Sequence, residues 1–182
     1  MLEILQAQTE AQIEAVRALM RQYVAWHYRR HDRYRHMIDR YFDPVAFEIE
    51  LQTLPGAFGG PRGRLLLGLT DGQPSGTVAL RDLGAGRAEM KRMFVTPEAQ
   101  GRGLGRALAV RLIEEARGIG YRSLRLDTGP LQREARDLYA SLGFVPIAPY
   151  GDHDADMRDF LKFMELDLHG LGKADPDLLR SA

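Results

Sequence analysis

The chain of 182 residues contains no cysteine, which excludes disulfide staples, thiolate nucleophiles and cysteine-ligated zinc. Excess charge is missing as well: 25 basic side chains balance 25 acidic ones. Such a balance gives no bulk attraction toward nucleic acid or an anionic membrane surface. Lysine occurs only at 91, 162 and 173, so nearly every basic side chain is arginine. Apolar runs are short, far below the length that crosses a bilayer, and Met1 to Glu10 has no basic stretch followed by an apolar one. The cytoplasm is the expected location. No G-x-x-x-x-G-K-S/T segment is present, which removes a nucleoside triphosphate loop. What remains, 45% hydrophobic and 27% charged, is the composition of a globular protein with one sizeable core. We expect a single domain over residues 1–169 and a frayed tail from Gly170, which carries Pro176 and few apolar residues.

The stretch from Met90 to Gly120 organises the rest. A strand ends at Val95, because Pro97 removes a backbone donor and the residues after it carry no strand pattern. Gln100, Gly101, Gly103 and Gly105 then lead into Leu104, Leu108, Leu112, Ala116 and Ile119, whose spacing draws one apolar stripe along a helix. Glycines at alternate positions leave the backbone nearly bare. A phosphate can approach such a loop closely and meet the free N–H groups and positive dipole end of the new helix.

Around this unit the chain reads in order. Leu2 to Gln6 is a strand, and Thr9 three residues before Gln12 is a capping box that opens a helix with Ile13, Val16, Met20, Tyr23, Val24 and His27 on one face. Residues Trp26 to Phe42 are dense in aromatics, histidine and arginine, and a further helix covers Pro44 to Leu54. Gly63–Thr70 and Gly76–Leu83 flank the turn Asp71–Pro74 as a hairpin, and Gly84-Ala85-Gly86 turns into the strand Ala88–Val95. Three strands without a helix between them indicate an antiparallel meander feeding a parallel unit. Ser123–Asp127 is the next strand. Gly129-Pro130 opens a helix with Leu131, Ala135, Leu138, Tyr139 and Leu142 on one face and Gly143 beyond its end. Phe144–Pro146 and Phe160–Leu168 complete the strands. The fold class is α/β (α+β), with a mixed, largely antiparallel sheet.

Strand, glycine turn, helix, strand and then Asp127 also sketches a dinucleotide-binding unit, with the acid about 20 residues beyond the glycines. Two features oppose that reading. The spacing is Gly-Arg-Gly-Leu-Gly rather than G-x-G-x-x-G, and Pro97 to Gln100 separate the strand from the glycines where a tight turn is needed.

Gln100-Gly101-Arg102-Gly103-Leu104-Gly105 resembles the Q/R-x-x-G-x-G/A pyrophosphate loop of the GNAT family of N-acetyltransferases, and Tyr139-Ala140-Ser141-Leu142-Gly143-Phe144 resembles a later block of that family. Loop, block and element order together carry the resemblance, which is sharpest from Glu89 to Pro146. It implies a GNAT-like fold and an enzyme that moves an acetyl group from acetyl-CoA to an amine of a small molecule or peptide. Backbone groups of Met93, Phe94 and Val95 would then pair with the pantetheine amides, and the N–H groups of Gln100, Gly101, Arg102, Gly103, Leu104, Gly105 and Arg106 would hold the pyrophosphate. A bulge in the Ala88–Val95 strand would aim an N–H at the thioester oxygen. Tyr139 matches the family's acid at the leaving sulfur, with a core tyrosine as the plain alternative. Glu89 is the candidate base, although it shares a strand face with Lys91 and can simply pair with it. Gln132 stands where many members carry asparagine, so its cofactor contact is an open point.

The resemblance also points to Trp26–Phe42 and Gly151–Arg158 as the acceptor side. His27 and His31 are four apart on a helix, a spacing that can chelate metal, but Arg29, Arg30, Arg33 and Arg35 repel a cation. A solvated basic helix face is the expectation there, with no metal; arginines and aromatics receiving an acidic or aromatic acceptor, and an acidic loop receiving its amine, form a third possibility. An acyl-CoA-binding sensor with little turnover is the functional alternative, and a homodimer is compatible with the sequence.

Overall fold

The computed structural model describes residues 1–169; the expected tail from Gly170 lies outside them. The elements are β1 (Leu2–Gln6), α1 (Glu10–Arg30), α2 (Arg35–Tyr41), α3 (Pro44–Gln52), β2 (Arg64–Thr70), β3 (Gln73–Gly84), β4 (Arg87–Val95), α4 (Leu104–Ile119), β5 (Ser123–Thr128), α5 (Arg133–Ser141), β6 (Val145–Pro146), α6 (Ala155–Phe160) and β7 (Lys162–Asp167). The strands form one sheet in the order β1-β2-β3-β4-β5-β7-β6. Its pairings are antiparallel except β4 with β5, the mixed, largely antiparallel sheet expected.

Local chemistry explains most boundaries. The Thr9 hydroxyl accepts from the Gln12 N–H and the Gln12 side chain accepts from the Thr9 N–H, so two orphan donors at the start of α1 are satisfied reciprocally. Asp43 caps α3 through the Ala46 N–H, with Pro44 in its first turn. The β2–β3 turn is shorter than expected. Asp71 and Gly72 both take positive φ, +52° and +79°, the backbone of a two-residue hairpin turn whose twist matches the strands. Pro74 therefore lies within β3, beside a register shift that tolerates its missing donor.

Alternating side chains send apolar residues to both faces of the sheet. Leu66, Val78, Leu80, Ala88, Met90, Leu124 and Leu126 bury against α4 and α5 on one side, together with Leu104, Leu108, Leu112 and Tyr139. Leu65, Leu67, Ala79 and Phe94 bury against α1 and α3 on the other, together with Ile13, Val16, Leu19, Met20 and Leu51. The helix stripe predicted for α4 is the buried one. Gly68 and Gly76 let α4 sit close to the sheet, since a Cβ on either would stand 2.9 Å from the Leu108 or Leu104 side chain.

Two short helices escape the sequence pattern. The histidine- and arginine-rich stretch breaks after Arg30 and resumes as α2, which has no side-chain cap. The acidic stretch expected as a loop contains α6, capped by Asp154 through the Met157 N–H. Met37, Met157, Leu161 and Phe163 form a third apolar cluster between them. Leu131, expected on the buried face of α5, precedes the helix and is exposed. Among the described residues no helix is long and apolar enough to cross a membrane.

Candidate active site

The site begins where β4 and β5 part. Their parallel pairing covers only Arg87–Glu89 against Ser123–Arg125. Beyond it β4 stays on β3 and β5 stays on β7, so the edge of Met90–Val95 that faces β5 has no strand partner among the described residues. An unpaired edge presents N–H and C=O groups to whatever enters. A bulge lies in this segment, as expected. Thr77 faces Phe94 while Ala79 faces Lys91, so Arg92 and Met93 oppose Val78 alone. Arg92 has φ +56°, a left-handed conformation that costs a non-glycine residue about 1–3 kcal/mol.

A cleft of about 420 Å³ opens at the divergence. Of the residues singled out in the sequence, Met93, Phe94, Val95, Gln100, Gly101, Gly105, Gln132 and Tyr139 line it. The start of α4 forms one end. Gly103 occupies the N-cap with φ +85° and offers no side-chain cap, so the first-turn N–H groups of the helix stay open to a ligand. The Gln100 N–H is not one of the open donors, because it turns back onto the Thr96 and Pro97 carbonyls. The Gln100 side-chain amide donates to the Val95 carbonyl at 3.1 Å and stitches the loop to the end of β4. Arg102, Gly103, Leu104 and Arg106 do not line the cleft. Arg102 reaches Asp71 at 2.7 Å, Arg106 reaches the Ser141 hydroxyl at 3.0 Å, and the Leu104 side chain is core.

Tyr139 enters the cleft from α5. Its ring is buried and packs near Phe144, with centroids 5.7 Å apart, and its hydroxyl makes no hydrogen bond among the described residues. Burial raises its pKa above the ordinary tyrosine value, so the hydroxyl keeps its proton at any working pH. Gln132 is buried at the start of α5. Its Oε1 accepts from the Gly129 N–H at 2.7 Å and the Thr128 hydroxyl at 3.1 Å, which leaves only its Nε2 hydrogens for a ligand.

Glu89 lies outside the cleft lining, at the last β4 position that pairs with β5. Its carboxylate accepts from Arg81 and from the Tyr150 hydroxyl at 2.8 Å, with the Lys91 ammonium 3.9 Å away. Beside it lies a network missed in the sequence. Lys91 donates to Asp127 at 2.9 Å and to Tyr41 at 2.6 Å, and the Tyr41 hydroxyl donates to Asp127. The Asp127 side chain is 2% exposed. Burial alone would raise its pKa, but the charge and hydrogen bond of Lys91 and the hydrogen bond of Tyr41 hold it below the ordinary value. Lys91, one of three lysines in an arginine-rich chain, was the one sequence signal for this group.

Trp26 and Arg30, from the stretch expected on the acceptor side, also line the cleft, together with Tyr23, Ala99, Glu134, Ala135 and Leu138, which the sequence had not singled out for it. Arg30 spans from α1 to the start of α5, donating to the Leu131 carbonyl at 2.9 Å and to Glu134 at 2.8 Å. The solvated helix face expected at His27 and His31 is not what forms. Both rings are buried, 5.2 Å apart and stacked. Burial, His31 and Arg92 push His27 down to about 3, so the pair is a neutral part of the interior.

Comparison with known proteins agrees with this geometry. The profile of the Acetyltransferase (GNAT) family matches residues 16–144. An IAA acetyltransferase of Azospirillum brasilense is 36% identical over 123 residues, 67% of this chain and 78% of that one. A Klebsiella pneumoniae structure provisionally described as an acyl-CoA N-acyltransferase superposes with a TM-score of 0.69 at 26% identity, over 92% of this chain and 98% of that one. The PaiA N-acetyltransferase of Thermoplasma acidophilum, solved with coenzyme A, shares the fold with a TM-score of 0.67 at 17% identity, over 92% and 99%. The chain thus belongs to the acetyltransferase (GNAT) family and is an acyl-CoA-dependent acetyltransferase.

Proposed function

We propose that the protein transfers an acetyl group from acetyl-CoA to an amine of a small molecule or peptide by direct attack of the amine on the thioester. The observation that carries this is the opening between β4 and β5, which puts an unpaired strand edge, an uncapped helix N-terminus and a protonated tyrosine on one cleft. The residues fit an acyl-CoA. The edge of Met93–Val95 would pair with the pantetheine amides, the first-turn N–H groups of α4 from Gly103 to Arg106 would hold the pyrophosphate, and Gln132 would donate from Nε2. A side chain at Gly105 would come within 3.7 Å of Met93 and Val95, narrowing the space between loop and strand.

Acetyl-CoA supplies a reactive thioester; the protein supplies position and proton traffic. An N–H of the bulged strand would stabilise the charge that develops on the thioester oxygen. As the amine nitrogen bonds to the carbonyl carbon and the carbon–sulfur bond breaks, Tyr139 would give its proton to the leaving thiolate and recover one from the acylated nitrogen. The acceptor ammonium must lose a proton before it attacks, and Glu89, at the apex of the opening, would take it through water. Glu89→Gln tests that role: turnover should fall ~10²-fold at neutral pH with acetyl-CoA affinity retained, whereas unchanged turnover would remove Glu89 as base.

Calorimetric titration with acetyl-CoA, CoA and NAD, followed by a thiol-release assay against a panel of amines and peptides, tests the reading as a whole. Acetyl-CoA binding and thiol release with one acceptor class is expected. NAD binding in place of acetyl-CoA would overturn it.

A further inference from the structure

Three non-glycine residues have positive φ among the described residues: Asp71, Ala85 and Arg92. Asp71 and Ala85 lie in hairpin turns, where that conformation closes the loop. Arg92 lies inside a strand, and no turn accounts for it. Its side chain is held unusually well. Nε and Nη2 donate to the two Glu50 oxygens at 2.8 and 2.9 Å, a fork on a fork. The guanidinium stands 5.1 Å from the Phe42 ring centroid and 5.5 Å from that of Phe47, and the side chain is 11% exposed.

The bulge also decides which way β4 faces. Lys91 meets Tyr41, and Arg92 meets Phe42 and Glu50, so two consecutive side chains lie on the α1–α3 side of the sheet. Met93 and Val95 then pack on the α4 side and Phe94 on the α1 side. In a strand without the bulge every residue after Lys91 would exchange faces. Phe94 would leave its core and the strand edge that lines the cleft would be turned over.

We infer that Glu50 and Arg92 are positioning residues for acetyl transfer: their ion pair, anchored on α3, holds β4 in the bulged register and so sets the N–H groups beside the thioester. Neither residue lines the cleft, and both act through the backbone of Met93–Val95. The inference rests on the proposed acetyl-transfer role of this strand edge.

Glycine separates positioning from simple stability. It takes positive φ freely and alanine does not, whereas glycine is the less favourable residue within a strand. With the acceptor identified by the thiol-release panel, Arg92→Ala should lower kcat ~10- to 100-fold, as a displacement of about 1 Å at a reacting group does, with a smaller change in acetyl-CoA affinity. Arg92→Gly should keep at least about threefold more kcat than Arg92→Ala despite a lower urea midpoint. Glu50→Gln, which leaves Arg92 in place, should fall between wild type and Arg92→Ala. A kcat that follows the urea midpoint, with glycine at or below alanine, would overturn the inference. Crystal structures of the two Arg92 variants give a readout independent of turnover: positive φ at 92 kept by glycine and lost by alanine supports the clamp, and positive φ kept by alanine overturns it. If wild type releases no thiol with any acceptor, the transfer reading fails while these structures still decide whether the clamp holds the bulge.

Discussion

The two sides of the β4–β5 opening are built from different material. On the loop side, the groups proposed to meet the cofactor are backbone: the edge of Met93–Val95 and the first turn of α4 behind Gly103. Behind the opposite side stand side chains brought from distant segments, none of them lining the cleft: Lys91 with Asp127 and Tyr41, and Arg92 with Glu50. Backbone donors present the same pattern whatever the side chains, so that half suits a cosubstrate used by a whole family. Side-chain networks can differ from one member to the next, and here they support the strand edge from behind. A loss on the loop side should therefore appear in acetyl-CoA affinity. A loss on the network side should appear in folding and turnover.

The sharpest break falls on the network. Asp127→Asn leaves the Lys91 ammonium, 10% exposed, beside a neutral amide with the Glu89 carboxylate 3.9 Å away as its remaining counter-charge, and removing one partner of a buried pair typically costs about 3–5 kcal/mol. Urea denaturation should report a loss of that size. A loss below about 1 kcal/mol would mean that the pair behaves as an exposed one. On the loop side, Gly103→Val forces a β-branched residue to φ +85°, a strain of about 1–3 kcal/mol placed where the pyrophosphate is proposed to sit. Acetyl-CoA affinity should drop ~10- to 100-fold by calorimetry; intact affinity would detach the loop from cofactor binding.

How legible each half was follows from the same difference. The loop, α4 and Tyr139 lie within one run of sequence, and helix spacing, glycine positions and the Tyr139–Phe144 block are local signals. The Arg92–Glu50 pair joins residues 42 apart, Lys91 and Asp127 are 36 apart, and Lys91 and Tyr41 are 50 apart. No local rule links them before the sheet is assembled. Asp127 was weighed as a ribose-binding acid because its distance from the glycines was all that the sequence offered. His27 was set on the apolar face of α1, where it lies, and also with His31 on a solvated basic face, a reading that failed for a related reason. Four arginines nearby argued for solvent, yet a helix has two faces, and the histidines lie on the one that packs against Phe42 and Phe160. Helices α2 and α6 are too short for periodicity to register.

The buried histidines make stability depend on pH. His27 falls from an ordinary 6.5 to about 3, and His31 is also lowered, both chiefly by burial. Between those values the unfolded chain takes up protons that the folded chain refuses. Their stabilising share is therefore complete above about pH 6.5 and is lost as pH falls through the window. Asp127, lowered from 3.8, loses its share only as pH falls below about 5, so it does not enter between pH 7 and 5. From pH 7 to 5 wild type should lose about 1–2 kcal/mol more stability than His27→Phe, read from urea midpoints at the two pH values. Equal losses would remove His27 from the acid limb.

On the proposed mechanism, cofactor capture and chemistry are separable within one cleft, with Tyr139 serving the chemistry alone. The most direct measurement pairs calorimetric acetyl-CoA affinity with saturated thiol-release turnover for Tyr139→Phe, which keeps the buried ring and removes the one hydroxyl. Affinity within about threefold of wild type, with turnover down ~10²-fold or more, is the expected result. Turnover unchanged at equal affinity would contradict the account and leave Tyr139 as core packing.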